Sequence, residues 1–202
     1  MVTPLPLRSP RHQPGASVVT GELVEAFRSA LRQVLRRCRR AEREIQVPGE
    51  SGTWTFRGWF AMECLQEALG WPAPTMVFGD QFDLLLLGAR RLPVVFIETK
   101  RPEKPSTPQE YTQFEDRLRW FPTLTAAYYT NGVAWHRVDL SQPAGRLQRI
   151  ESRLALADLF AAPASEVVSF LAPLLPTQPI PQRRWRPRGP QSRRVLHLKK
   201  PG

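Results

Sequence analysis

Cysteine is scarce in this chain of 202 residues, which contains only Cys38 and Cys64. Two thiols cannot build the disulfide framework of a small secreted domain. They also cannot complete a four-ligand zinc site with His12, His136 and His197, because these histidines are scattered along the chain. The sequence therefore predicts a cytoplasmic protein without a structural metal.

Long apolar runs are missing as well, since the longest uninterrupted aliphatic stretch extends only from Leu84 to Leu87. A membrane-spanning helix needs roughly 18 such residues. The first residues of the chain are rich in proline and do not form the apolar core of a signal peptide. We therefore expect neither a membrane partner nor secretion.

Acidic residues are outnumbered, with 18 Asp and Glu against 29 Lys and Arg, which gives a formal net charge of +11. This balance favours an anionic partner, and nucleic acid is the leading candidate. Residues 177–202 contain six Arg, two Lys and no acid, so this tail is expected to bind phosphates without sequence preference. The arginines expected to bind nucleic acid are Arg183, Arg184, Arg186, Arg188, Arg193 and Arg194.

The 21 prolines are concentrated at the two ends, with four in the first 14 residues and seven from Pro173 onward. Ends of this composition bury too little apolar surface to offset the entropy that is lost on ordering. The length suits one ordinary domain with extensions. We therefore predict a flexible N-terminus at 1–20, an α/β domain at 21–176 and a basic disordered tail at 177–202.

Apolar residues at helical spacing predict a first helix that begins at position 20 or 21 and ends before Pro48. The face opposite its apolar residues is rich in arginine. A second helix is predicted over 57–69, because Gly70 is a typical residue just past a helix end. A third helix is predicted over 108–120.

Four short apolar segments predict strands, at 82–87, 94–99, 124–130 and 133–140. The first two segments are close enough to form a hairpin. The dipeptide Asn131-Gly132 between the last two suits the left-handed backbone of a tight turn. Short helices are predicted at 155–160 and 167–175, so the expected core is a mixed sheet of about four strands flanked by helices.

The residues that suggest chemistry lie on the first predicted hairpin. Side chains alternate along a strand, so Glu98 and Lys100 share one face while Thr99 points to the other. The Asp83 carboxylate on the preceding strand could meet that of Glu98, together with the Thr99 carbonyl, at a hard cation such as Mg²⁺, with Mn²⁺ as a substitute. Such an ion polarises a phosphodiester and Lys100 would orient the attacking water, so the expected reaction is phosphodiester hydrolysis.

At these residues the sequence resembles the PD-(D/E)XK nuclease superfamily, whose motif is an acid followed by Glu/Asp-x-Lys on the next strand. The likeness extends over residues 50–140 to the N-terminal nuclease domain of the motor subunits of type I restriction enzymes. It implies a restriction-endonuclease-like core and hydrolysis of DNA within a restriction-modification system. The further matching elements are Phe56-Arg57, Leu69-Gly70-Trp71, Glu98 to Pro102, Gln113, and Thr130-Asn131-Gly132-Val133-Ala134-Trp135.

The same resemblance assigns two supporting residues. Glu63 is the best match to the helical acid of the family, with Glu67 one turn further on as the alternative. Gln113 matches the glutamine of a Gln-x-x-x-Tyr element, but Arg117 stands where the family has tyrosine. The resemblance therefore predicts Glu63 and Gln113 as supporting residues of the site and leaves the role of the helix that carries Gln113 open.

The chain contains no Walker ATPase motif and no methyltransferase motif. Separate motor, specificity or methyltransferase subunits are therefore the expected protein partners.

Three alternatives stay open at this point. Asp80 could replace Asp83 as a metal ligand. The protein could also be a nucleic-acid-binding accessory protein that keeps the nuclease fold without turnover, or a basic adaptor that binds RNA.

Overall fold

A computed structural model describes residues 20–45, 51–88, 90–102, 105–141 and 149–176. The predicted basic tail with its six arginines, and all but Thr20 of the predicted flexible N-terminus, lie outside these ranges. The helices are α1 (Gly21–Ile45), α2 (Ser51–Trp59), α3 (Pro108–Leu118) and α4 (Ala164–Leu171), with a π-helical segment at Phe60–Ala68 and 3₁₀ turns at Ala73–Thr75 and Ala172–Leu174. The strands are β1 (Met76–Phe78), β2 (Leu84–Leu87), β3 (Pro93–Thr99), β4 (Ala126–Thr130), β5 (Trp135–Ser141) and β6 (Arg149–Leu156).

The strands form a six-stranded sheet in the order β1-β2-β3-β4-β5-β6. Neighbours are antiparallel except β3 and β4, which are parallel and joined through α3. The mixed sheet, the four predicted strands and the hairpin of β2 and β3 are confirmed. The strand count of about four is wrong, because the sheet gains an edge strand on each side.

The two additional strands, β1 and β6, were not predicted, and each has a physical reason. β1 has only three residues, which is too short to show an alternating pattern. β6 is an edge strand with most of its side chains exposed, so its sequence carries little apolar signal. The predicted helix at 155–160 is wrong, because Ala155 and Leu156 end β6 and the next residues form a turn in which Asp158 accepts a hydrogen bond from the Phe160 amide at 2.8 Å.

Helices cover both faces of the sheet. α1, α2, the π-helical segment and α4 pack on the face that includes Ile97 and Tyr128, and α3 packs on the face that includes Phe96 and Tyr129. The predicted apolar side of α1 is confirmed at Phe27, Leu31, Val34, Leu35 and Cys38, which are all buried. Because β3 is central, Val95–Thr99 are buried throughout, and polar side chains at the end of this strand are enclosed as well.

Two glycines adopt the left-handed backbone that their predicted turns require. Gly132 has φ +90° in the turn between β4 and β5, where the Asn131 side chain accepts hydrogen bonds from the amides of Val133 and Ala134 at 3.1 and 2.8 Å. Gly70 has φ +80° and follows the π-helical segment. The amide of the next residue, Trp71, donates a hydrogen bond to the Leu65 carbonyl at 2.9 Å. Both turn predictions are confirmed, although the helix that leads to Gly70 begins earlier than predicted, at residue 51.

The start of α3 is fixed by a capping box. The Thr107 hydroxyl accepts a hydrogen bond from the Glu110 amide at 3.2 Å, and the Glu110 carboxylate accepts one from the Thr107 amide at 2.9 Å. Phe114 then stacks on Phe96 of β3, with ring centroids 5.7 Å apart. Because Arg117 is three residues beyond Phe114, it lies on the same side of the helix and faces the end of β3.

Candidate active site

The candidate site lies where β2 begins and β3 ends. The antiparallel register pairs Leu84 with Ile97 and Leu85 with Phe96. Asp83 directly precedes the first paired residue of β2, and Glu98 directly follows Ile97 on β3. Both carboxylates are buried, at 9 % and 3 % exposure of the residue, so hydrogen bonds and nearby charges must stabilise their ionised forms.

Asp83 is held by Thr99 and Arg57. One carboxylate oxygen accepts hydrogen bonds from the Thr99 amide at 2.7 Å and from the Thr99 hydroxyl at 2.6 Å. The other oxygen forms a buried ion pair with the Arg57 guanidinium of α2. Asp83 therefore ties the start of β2 both to the end of β3 and to the α2 layer.

Glu98 is held by two cations on the α3 side of the sheet. One of its oxygens accepts from Lys100 Nζ at 3.0 Å and from Arg117 Nη1 at 2.7 Å. The prediction that Glu98 and Lys100 share a face is thus confirmed. The other oxygen, Oε2, is buried and has no hydrogen-bond partner among the described residues, so it is an acceptor that a ligand could satisfy.

The two carboxylates are bound to different helical layers. The Thr99 side chain alternates with Glu98 and lies on the face of Ile97, towards α1 and α2. Asp83 follows Thr99 and Arg57 to that side, whereas Glu98 is tied to Arg117 of α3. That both carboxylates bind one cation therefore stays a prediction.

Tyr129 of β4 forms the wall beside Lys100, with Nζ 5.5 Å from the ring centroid. Burial raises the pKa of the Tyr129 hydroxyl to about 12, and the nearby carboxylates of Glu110, Glu98 and Asp83 act in the same direction. The phenol therefore stays protonated and neutral at physiological pH.

The other predicted residues are not drawn into this cluster. Glu63 is ion-paired with Arg37 of α1, and no contact in the described ranges joins it to Asp83 or Glu98. Glu67 and Asp80 are exposed. Gln113 is also exposed on α3, and its side chain makes no hydrogen bond within the part of the chain that the structure describes. A catalytic role for Glu63 or Gln113 stays a prediction that these contacts do not support.

Two residues of the site had no predicted role. Arg57 belongs to the motif at the start of the resemblance, but only its position on α2 shows that it pairs with Asp83. Arg117 departs from the family pattern, and its contact with Glu98 gives that departure a structural role. The sequence did contain a signal for Arg117, because an arginine stands four residues after Gln113, where the family has tyrosine.

The carboxylates that a cation could bind at this site are those of Asp83 and Glu98. Among the described residues, no group of three His, Cys, Asp or Glu side chains converges in a way that could hold a metal ion. Both cysteines are buried free thiols, and burial raises the pKa of Cys38 to about 12. Any cation at this site must therefore complete its coordination with backbone oxygen, water or substrate phosphate.

Comparison of the chain with protein-family models, with curated proteins and with solved structures finds no match in any of the three. The likeness to PD-(D/E)XK nucleases therefore depends on the motif residues themselves. The structure establishes a mixed α/β fold in which Asp83, Glu98 and Lys100 lie at the ends of β2 and β3. No helix in the described ranges is both long and apolar enough to cross a membrane.

Proposed function

We propose that this protein is a Mg²⁺-dependent nuclease of the PD-(D/E)XK type that hydrolyses DNA phosphodiester bonds. The observation that carries the proposal is that Asp83 and Glu98 are buried at the ends of two adjacent antiparallel strands, with Lys100 hydrogen-bonded to Glu98. Carboxylates that can hold a divalent cation and a lysine that can orient a water molecule suit hydrolysis of a phosphodiester.

One oxygen of Glu98 is suited to bind a divalent cation. The Glu98 Oε2 atom is buried without a hydrogen-bond partner among the described residues, and a hard cation would satisfy it. Glu98 would hold Mg²⁺, or Mn²⁺ in its place, with Asp83 and the Thr99 carbonyl as the further ligands. When bound, the ion would polarise the phosphodiester and lower the pKa of a bound water.

The protein's own side chains perform the remaining tasks. Lys100, held by Glu98 and by the Tyr129 ring, presents an ammonium group that donates hydrogen bonds to the attacking water and balances the charge that develops on the phosphate. Thr99 orients Asp83 through two hydrogen bonds. Arg57 neutralises the buried Asp83 carboxylate and fixes its position against α2.

DNA is the proposed substrate because the chain carries a net charge of +11 and concentrates eight basic residues at 177–202. A cytoplasmic location and separate motor, specificity or methyltransferase subunits belong to the same proposal. They follow from the scarcity of cysteine, from the resemblance to restriction enzymes and from the lack of Walker and methyltransferase motifs in this sequence.

A second candidate is an accessory protein that binds DNA without turnover. It is favoured by the ion pairs of Asp83 with Arg57 and of Glu98 with Arg117, since each of these cations competes with a metal ion. The two candidates differ in whether a divalent ion binds at the carboxylates.

A plasmid assay with Mg²⁺, Mn²⁺ or EDTA separates the candidates. The nuclease predicts cleavage with either metal ion, none with EDTA, and loss of cleavage in Glu98→Gln. Arg90→Ala, in the exposed turn before β3, is the matched control and should cleave like the wild type. Binding of DNA without cleavage under every condition would instead support the accessory protein.

A further inference from the structure

The candidate site carries more positive than negative charge. Two carboxylates, Asp83 and Glu98, face three cationic groups, on Arg57, Lys100 and Arg117, so one positive charge is left over. A site of this composition attracts an anion more readily than a free cation. The positive charge beside a carboxylate decreases when one of these cationic side chains moves away from it.

Arg117 is the cation best able to leave. Its side chain is 32 % exposed, whereas that of Arg57 is 8 % exposed and enclosed between α2 and Asp83. Lys100 also contacts the same Glu98 oxygen, so departure of Arg117 leaves that oxygen with one hydrogen bond. The long side chain on a helix surface can turn towards solvent without disturbing the core.

We propose that Arg117 competes with the divalent cation for Glu98, and that the displaced guanidinium binds a phosphate of the DNA. The inference depends on the proposed function and adds a regulatory property to it. Without DNA, Arg117 is paired with Oε1 of Glu98, and its positive charge opposes binding of a cation at Oε2 of the same carboxylate. With DNA present, the phosphate stabilises Arg117 away from Glu98, so that metal and DNA bind cooperatively.

The chemistry of the groups supports this exchange. A guanidinium forms paired hydrogen bonds with phosphate as readily as with carboxylate. When DNA is bound, Arg117 therefore has two suitable partners, the Glu98 carboxylate and a DNA phosphate. A hard cation binds carboxylate and phosphate oxygens alike, so in the site that holds both metal and DNA it can bind Glu98 while Arg117 binds another phosphate oxygen. Because coupling between two ligands is reciprocal, the metal must also strengthen binding of DNA.

The first test measures binding of Mn²⁺ alone, from the signal of the free ion in electron paramagnetic resonance. Arg117→Gln should bind Mn²⁺ about five- to tenfold more tightly than the wild type. A change in affinity of this size is expected when the partly exposed ion pair of Arg117 with Glu98 no longer competes with the metal ion. Arg119→Gln is the matched control, since it removes the same charge from the same helix at an exposed residue whose partner is Asp116. Equal Mn²⁺ affinity in the two variants would overturn the inference.

The second test measures cooperativity, from the fluorescence anisotropy of a short phosphorothioate duplex that resists cleavage. Mn²⁺ should tighten DNA binding by the wild type and by Arg119→Gln, and by a clearly smaller factor in Arg117→Gln. The same factor in all three proteins would contradict the exchange.

The outcomes also separate this inference from the proposed function. If the wild type binds Mn²⁺ and cleaves DNA but Arg117→Gln changes neither measurement, only the competition is wrong. If neither the wild type nor Arg117→Gln binds Mn²⁺, the nuclease proposal fails together with the competition.

Discussion

Thr99 donates two hydrogen bonds to one oxygen of Asp83, from its amide at 2.7 Å and from its hydroxyl at 2.6 Å. Thr99 is the middle residue of the Glu98-Thr99-Lys100 motif, so the first acid of the site is positioned by the segment that supplies the second. The pairing of β2 with β3 thereby determines the distance between motif elements that are far apart in sequence.

Removal of Arg57 should destabilise the fold. In Arg57→Met the buried Asp83 carboxylate loses its ion-pair partner, and we expect the free energy of unfolding to fall by roughly 3 kcal/mol. Urea denaturation followed by circular dichroism measures this change. The double variant Arg57→Met/Asp83→Asn should recover part of the loss, and additive effects of the two substitutions would show that the pair is not coupled.

Lys100→Ala should abolish cleavage while DNA binding is largely retained. The ammonium group is proposed to act on the attacking water and the phosphate, and loss of one such donor reduces the rate by about a hundredfold or more. Single-turnover cleavage and anisotropy of a labelled duplex measure the two properties separately. Cleavage at the wild-type rate by this variant would place the catalytic site elsewhere.

Two glycines with positive φ should respond differently to alanine. A Cβ on Gly132 would lie 2.7 Å from Leu35 Cδ2 and 3.2 Å from Phe56 Cε2, whereas a Cβ on Gly70 meets nothing within 4 Å. Gly70→Ala should therefore cost about 1 kcal/mol, the left-handed backbone penalty alone. Gly132→Ala should cost roughly 2–4 kcal/mol, because overpacking is added. Equal melting temperatures of the two variants would refute this difference.

Stability should decrease as the pH falls through the range in which histidine titrates. Burial lowers the pKa of His136, which packs against the rings of Tyr111 and Tyr129, so the folded protein favours neutral imidazole. The unfolded chain takes up the proton first, near its ordinary pKa of about 6.5, and the contribution is lost as the pH falls. Urea midpoints at pH 7.5 and 5.5 should differ less in His136→Gln than in the wild type, and an unchanged difference would exclude His136 as the cause.

Deletion of residues 177–202 should weaken DNA binding most at low salt. The segment contains six Arg and two Lys without an acid, and each phosphate contact adds to the dependence of affinity on salt. The slope of log affinity against log salt should become less steep, by several units at most, on two unrelated duplexes. Equal slopes for the full and shortened chains would mean that the segment does not contact DNA.

The sequence by itself predicted the elements whose signal lies in residues that are close to one another along the chain. The alternation in Glu98-Thr99-Lys100 placed the acid and the lysine on one face, and Asn131-Gly132 predicted the turn between β4 and β5, because both signals depend on nearest neighbours along the chain. The apolar side of α1 was equally readable from helical spacing. The edge strand β6 was not, since exposed side chains give no such pattern.

Only the tertiary structure decided which cations hold the two acids. Arg57 is 26 residues from Asp83, and Arg117 is 19 residues from Glu98, so neither pairing leaves a local pattern in the sequence. The packing of α2 on one face of the sheet and of α3 on the other brings these groups together. Long-range ion pairs depend on how whole elements pack, which is why the excess positive charge of the site became visible only in three dimensions.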